Sequence, residues 1–151
     1  QRKTNKRYIA LLEGHLEQDE GTINCPLRKD MDVRPLMLVD YVQGKPSVTH
    51  YKVLAREEFE GRPVTRVEFE PHTGRTHQLR VHAAHPHVTT VGEDQMGVND
   101  PNETTGLGAP IVGDEMYSPN ATTRLMLHAS MLTIFHPVTG KQMTFKAPVP
   151  F

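Results

Sequence analysis

The feature that most limits what this chain can fold into is a pair of alternating segments joined by a turn. From Ser47 to Arg56, Val48, His50 and Lys52 alternate with Thr49, Tyr51 and Val53; from Val64 to Glu70, Val67 and Phe69 alternate with Arg66, Glu68 and Glu70. A period of two sends successive side chains to opposite faces of a sheet, so each segment reads as a strand with one buried face. Glu60-Gly61-Arg-Pro63 supplies the turn, which makes the pair an antiparallel hairpin. Shorter extended segments surround it: Tyr8 to Leu12, Gly21 to Cys25, Met37 to Val42, Ala109 to Asp114, Arg124 to Ala129 with Met131 to Phe135, and Gln142 to Lys146. Strands dominate, with one or two helices, which predicts an α+β domain on a largely antiparallel sheet.

With 151 residues, 36% of them hydrophobic, the chain is one domain's worth of material and can build a real core. A net charge of −1 excludes a global basic field, so any nucleic-acid site has to be a local patch. Cys25 is the single cysteine; it excludes an intrachain disulfide and fits a reducing, cytoplasmic setting. No apolar run approaches the roughly 20 residues of a membrane span, and the basic opening, Arg2, Lys3, Lys6 and Arg7, has no signal-type apolar region behind it. No membrane partner is expected. His85 to Gly108 is rich in Thr, Asn, Asp and Gly with little apolar periodicity, and reads as a long loop.

The densest chemistry lies in His72-Thr-Gly-Arg-Thr-His-Gln-Leu-Arg-Val-His82. Gly74 suits a turn position with positive φ. Thr76 is placed to cap a short helix from about His77 to Ala84, stopped by Pro86. On such a helix His77 and Arg80 project together from the first turn, whose N–H groups attract anions. A strand reading competes, because Leu79, Val81 and Ala83 alternate with Gln78, Arg80 and His82; the helix is preferred.

Nine histidines invite a metal reading. The spacings of His77, His82, His85 and His87 match neither a zinc helix nor a paired finger, and no second ligand cluster completes a set, so no metal is expected. Neither Cys25 nor any serine sits in a nucleophile elbow, and there is no phosphate-cradling glycine loop. What remains is a group of cationic and planar side chains: Arg75, Arg80, His77, Gln78, Tyr8 and the basic run at Lys6 and Arg7. Taken singly, Arg80 is explained by a structural ion pair and Tyr8 by a core aromatic with its hydroxyl satisfied. Together they suit an enzyme that flips a base out of RNA: a tyrosine ring stacks on it and an arginine fork orders a carboxylate or phosphate.

Lys6-Arg-Tyr-Ile-Ala10, Gly44-Lys-Pro46 with Thr49-His-Tyr-Lys-Val-Leu54, Thr73-Gly-Arg-Thr-His-Gln-Leu-Arg-Val-His82, Pro110-Ile-Val-Gly-Asp114, Arg124-Leu-Met-Leu-His-Ala129 and His136-Pro-Val-Thr-Gly140 with Phe145-Lys-Ala-Pro148 occur in that order. In these motifs the chain resembles RluA-type pseudouridine synthases over nearly its whole length. The resemblance implies the pseudouridine synthase catalytic-domain fold, a mixed, mainly antiparallel sheet with flanking helices and loops. It implies isomerisation of uridine to pseudouridine in rRNA or tRNA without a cofactor. Tyr8 becomes the active-site tyrosine that stacks on the base and can take the C5 proton. Arg80 pairs with the catalytic aspartate, Leu127 lines the pocket, and Lys6, Arg7, Arg75, His77 and Gln78 join them in binding substrate. A carboxylate held by a guanidinium stays ionised, and therefore nucleophilic, in a desolvated pocket.

The family's nucleophile belongs to a His-Arg-Leu-Asp segment upstream of the tyrosine motif. Only seven residues precede Tyr8 here, and Asp30, Asp32 and Asp114 match other positions. Residues 1–151 are therefore expected to be the C-terminal portion of one catalytic domain, incomplete at the N-terminus and inactive alone. A sheet lacking its first strands should self-associate through an exposed edge. Residues 86–105 read as a loop insertion whose Glu93, Asp94, Asp100 and Glu103 would repel a phosphate backbone. The alternative function is a non-catalytic RNA-binding module on the same fold.

Overall fold

The computed structural model describes residues 5–30, 36–75, 77–86, 103–120, 123–135 and 138–151. In chain order its elements are β1 (Asn5–Glu13), β2 (Glu20–Asn24), β3 (Leu27–Asp30), β4 (Leu36–Val39), β5 (Val48–Phe59), β6 (Arg62–Pro71), α1 (Gln78–Ala84), β7 (Glu103–Thr104), β8 (Leu127–Phe135) and β9 (Gln142–Lys146). Seven strands form one sheet in the order β7-β2-β5-β6-β1-β8-β9, and β3 pairs with β4 in a separate ribbon. Among the described strands only the β2–β7 pairing is parallel, so the α+β architecture and the mixed, mainly antiparallel sheet are both present.

The β5–β6 hairpin forms as its alternation dictates. Thr49, Tyr51, Thr65, Val67 and Phe69 are buried on one face, while His50 and Lys52 are exposed. Its turn is shorter than expected. Glu60 and Gly61 take φ of 51° and 78°, the two-residue geometry whose twist matches the flanking strands. Arg62 and Pro63 pair with Phe59 and Glu58 instead of turning. A bulge between Val53 and Ala55 absorbs one extra residue and leaves Leu54 exposed.

β1 lies between β6 and β8, with Tyr8 opposite Phe69 on one side and Ala129 on the other. β1 is thus interior, and among the described residues the sheet's edges are β7 and β9. Leu12, Ile23, Val67, Phe69 and Ile111 are fully buried in the core, and α1 adds Leu79 and Ala83 to it. Burial of a side chain the size of Phe69 stabilises by about 2–3 kcal/mol. A smaller cluster of Leu27, Met37 and Val81 seats the ribbon against the other side of α1.

Several boundaries differ from expectation. Residues 109–114 contribute only a bridge, Leu12 to Ile111, before turning. Arg124 to Met126 lead into β8 without being part of it. At the end of the long loop, Glu103 and Thr104 pair with Thr22 and Ile23 of β2, so the expected insertion ends in a strand; its residues 87–102 lie outside those described. The helix reading over 78–84 holds against the strand alternative, but its start differs. The residue before α1 is His77, with a left-handed φ of 52° and no side-chain cap, while Thr76 lies outside the described residues. Gly74 does not take positive φ; within the motif His77 does. Instead of a threonine cap, Gln78 closes the turn reciprocally: its N–H donates to the Arg75 carbonyl at 3.1 Å, and its Oε1 accepts the Arg75 N–H at 3.2 Å.

Candidate active site

Every expected site residue except Arg7 borders one cavity of about 540 Å³. Lys6 and Tyr8 reach it from β1, Gln78 and Arg80 from the first turn of α1, His77 and Arg75 from the residues before it, and Leu127 from the start of β8. Strand alternation explains the exception. Lys6 and Tyr8 share a face of β1, and Arg7 points to the other, where it meets Glu68 at 3.7 Å and Glu70 at 3.4 Å. Arg7, expected to bind substrate, thus stands in a charged cluster on the opposite sheet face and not in the cavity wall.

Tyr8 is half-buried, and its hydroxyl has no hydrogen-bond partner among the described residues. That is not the satisfied core aromatic of the bland explanation. The ring and Leu127 give the cavity an apolar slot beside the cations Lys6, Arg75 and Arg80. Among the described residues no carboxylate belongs to the cavity's lining.

Gln78 stands in the wall, but its amide is fully engaged within the protein. Nε2 donates to the Val48 carbonyl at 3.0 Å and to Thr49 Oγ1 at 2.9 Å, and Oε1 also accepts the Thr73 hydroxyl at 2.6 Å. With both donors and both acceptor sites used, the amide holds the Thr73–Arg75 loop and has none left for a ligand. The chain of bonds continues inward. The Thr49 hydroxyl bonds His82 Nδ1 at 2.9 Å, and His82 Nε2 lies 3.0 Å from the Cys25 carbonyl. A carbonyl only accepts, so Nε2 carries the proton and Nδ1 accepts from Thr49. This neutral tautomer agrees with burial pushing His82 down to about 4. Arg75 is fixed by two bonds from its guanidinium to the Pro46 carbonyl, at 3.3 and 3.1 Å.

Arg80 is gripped from the side. Its Nε donates to Asp114 Oδ2 at 3.0 Å and its Nη2 to Oδ1 at 2.6 Å, and the guanidinium lies 5.4 Å from the centre of the Tyr117 ring. The bonds to Asp114 raise the arginine's affinity for its proton above the ordinary value. Burial, followed by the charge of Arg80, lowers the pKa of His77, whose Nδ1 sits 2.9 Å from the Tyr117 hydroxyl. Asp114 and Tyr117 are the residues that motif reading missed. The available signal was an aspartate closing an apolar run in Pro110-Ile-Val-Gly-Asp114, where a buried charge demands a partner. The histidines do not converge: among the described residues no three His, Cys, Asp or Glu side chains gather around one point, and His87 lies outside them.

A sequence model of the family described as RNA pseudouridylate synthase matches residues 1–85. Over its whole length the chain is 41% identical to the dual-specificity RNA pseudouridine synthase RluA of Haemophilus influenzae, and equally to that of Escherichia coli strain K12; it spans 60% of the length of each. Among solved structures it is similar to human RNA pseudouridylate synthase domain containing 1, with 32% identity and a TM-score of 0.74, over 98% of this chain and 56% of that one. Human RNA pseudouridylate synthase domain containing 4, at 22% identity and a TM-score of 0.65, shares the fold. The chain belongs to the RNA pseudouridylate synthase family and is of the RluA type.

Proposed function

We propose that this protein isomerises uridine to pseudouridine in RNA, and that residues 1–151 supply the base-binding side of the site while the nucleophilic aspartate comes from outside them. The observation that carries this reading is the cavity itself: a Tyr8 hydroxyl without a partner among the described residues and an oriented Arg80 border one space that no carboxylate of the described residues lines. In this reading the target uridine leaves its stack and lies between Tyr8 and Leu127. The aspartate enters against Arg80, which keeps it ionised. The aspartate adds to the nucleoside, the C1′–N1 bond breaks and N1 is left to take up a proton, the uracil turns, C5 bonds to C1′ as the aspartate is released, and the C5 proton leaves to a base, for which the Tyr8 oxygen is placed. Composition is unchanged, so no cofactor is required. Lys6 and Arg75, which both line the cavity, meet the phosphates of an rRNA or tRNA segment. The free, buried thiol of Cys25, raised to about 11 by burial, suits a cytoplasmic protein.

Tritium release from C5-tritiated uridine in unmodified total RNA tests the proposal, with this chain run beside a form carrying its native upstream sequence. Release by the longer form alone is expected. Release by residues 1–151 would reject the external nucleophile and send the search to Asp30, Asp32 and Asp114. The second reading, a non-catalytic RNA-binding module, is favoured by the same lack of a carboxylate in the cavity. It predicts RNA binding by both forms and release by neither.

A further inference from the structure

Two residues at the start of α1 that border the cavity, His77 just before the helix and Arg80 in its first turn, are both held by one turn, residues 114–117. Asp114 is wholly buried, and its carboxylate accepts four bonds: two from Arg80, and the N–H groups of Met116 and Tyr117 at 3.1 and 3.2 Å. The Tyr117 hydroxyl accepts the Met37 N–H at 3.1 Å and bonds His77, while its ring faces the Arg80 guanidinium. The turn is anchored to the strand that bears Tyr8. Val112 N donates to the Leu11 carbonyl at 2.8 Å, Leu11 N to Met126 at 3.1 Å, and Met126 N to Val112 at 2.9 Å. One rigid assembly therefore fixes the tyrosine, the arginine and the histidine relative to each other.

The way the guanidinium is shared gives this arrangement a purpose. Arginine has five N–H donors and two edges that can each engage a pair of oxygens. Asp114 takes the edge formed by Nε and Nη2. Nη1 has no hydrogen-bond partner among the described residues, and Arg80 borders the cavity. The end-on edge therefore stays available for a second anion. An ion pair as buried as this one adds little stability over apolar packing, so its orientation of Arg80 is the better account of its presence.

We propose that Asp114 is a positioning residue, assisted by Tyr117: it clamps one edge of Arg80 so that the other edge is presented to the reacting carboxylate. This rests on the reading of the cavity as a pseudouridine synthase site. Asp114→Asn and Tyr117→Phe in the full-length protein test it. Asp114→Asn keeps the shape but loses the charge; its kcat for tritium release should fall by about 10²-fold, with KM for RNA within about threefold of wild type. Tyr117→Phe, which leaves the ion pair in place, should lower kcat about fivefold on the same pattern. The second readout needs no activity: the Arg80 Nε–H signal in ¹⁵N NMR, assigned by its loss in Arg80→Lys, should be protected from exchange in wild type and lost in Asp114→Asn while backbone amide signals persist.

An unchanged kcat in Asp114→Asn, equal losses in kcat and RNA affinity, or a persistent Nε–H signal would each overturn the proposal. If Asp114→Asn does not fold, Tyr117→Phe decides it, and an unchanged kcat there rejects it. If wild type releases no tritium, the pseudouridine reading fails, and the NMR comparison still decides whether Asp114 orders Arg80.

Discussion

Replacing Arg80 by lysine keeps the positive charge but removes the fork that engages both oxygens of Asp114. Steady-state tritium release by Arg80→Lys in the full-length protein should therefore show kcat lowered about 10²-fold, with RNA affinity changed less than threefold. Tyr8→Phe separates the two roles of the tyrosine. It keeps the stacking ring and removes the hydroxyl that has no partner among the described residues. A fall in kcat of about 10²-fold at constant KM assigns the hydroxyl to proton transfer, and an unchanged kcat restricts Tyr8 to stacking. Gln78 acts through structure. Gln78→Ala leaves Val48, Thr49, Thr73 and Arg75 each short of a bond, and should lower unfolding stability by about 3 kcal/mol in urea titrations.

The contact of α1 with β5 is pH-dependent. In the unfolded chain His82 titrates near 6.5, and in the fold near 4. Between those values the unfolded state binds the extra proton. The neutral His82 therefore contributes fully above about pH 6.5, and stability falls as the pH drops toward 4, by up to about 3 kcal/mol. His77 and His85, both lowered chiefly by burial, act in the same direction. Urea midpoints between pH 7.5 and 4.5 check this, and His82→Asn should give a shallower slope. The turn that carries Asp114 has its own sensitive point. Gly113 has φ +83°, and a β-carbon there would lie 1.9 Å from the Arg124 carbonyl oxygen. Gly113→Ala should cost about 3 kcal/mol or more, seen as a lowered melting temperature.

Across the whole molecule, β9 presents an edge whose outer side has no partner strand among the described residues, and Phe145 on it is 55% exposed. Lys146 is the kind of edge charge that discourages pairing. Sedimentation velocity at rising concentrations of residues 1–151 should show self-association that Phe145→Lys suppresses. A monomer at every concentration would rule out the edge as a contact.

Local pattern made much of this protein legible. The hairpin followed from alternation between Ser47 and Glu70, and the motifs around Tyr8, Arg80 and Leu127 named residues that the fold brings to one cavity. Such features depend on neighbours a few residues apart, where periodicity and turn chemistry act. Partnerships across the chain were not legible in that way. Asp114 lies 34 residues from Arg80, and the apolar run it closes marks it for burial without naming its partner. The same holds for the parallel pairing of β7 with β2 and the interior place of β1. The left-handed His77 follows the same rule, because the bonds that surround it come from Tyr117 and the Gln78 loop. Sequence by itself determined the central hairpin, most of the residues that meet the cavity and the family the chain belongs to. Tertiary structure decided which buried charge answers which, because a desolvated carboxylate is stable only where distant strands deliver its donors.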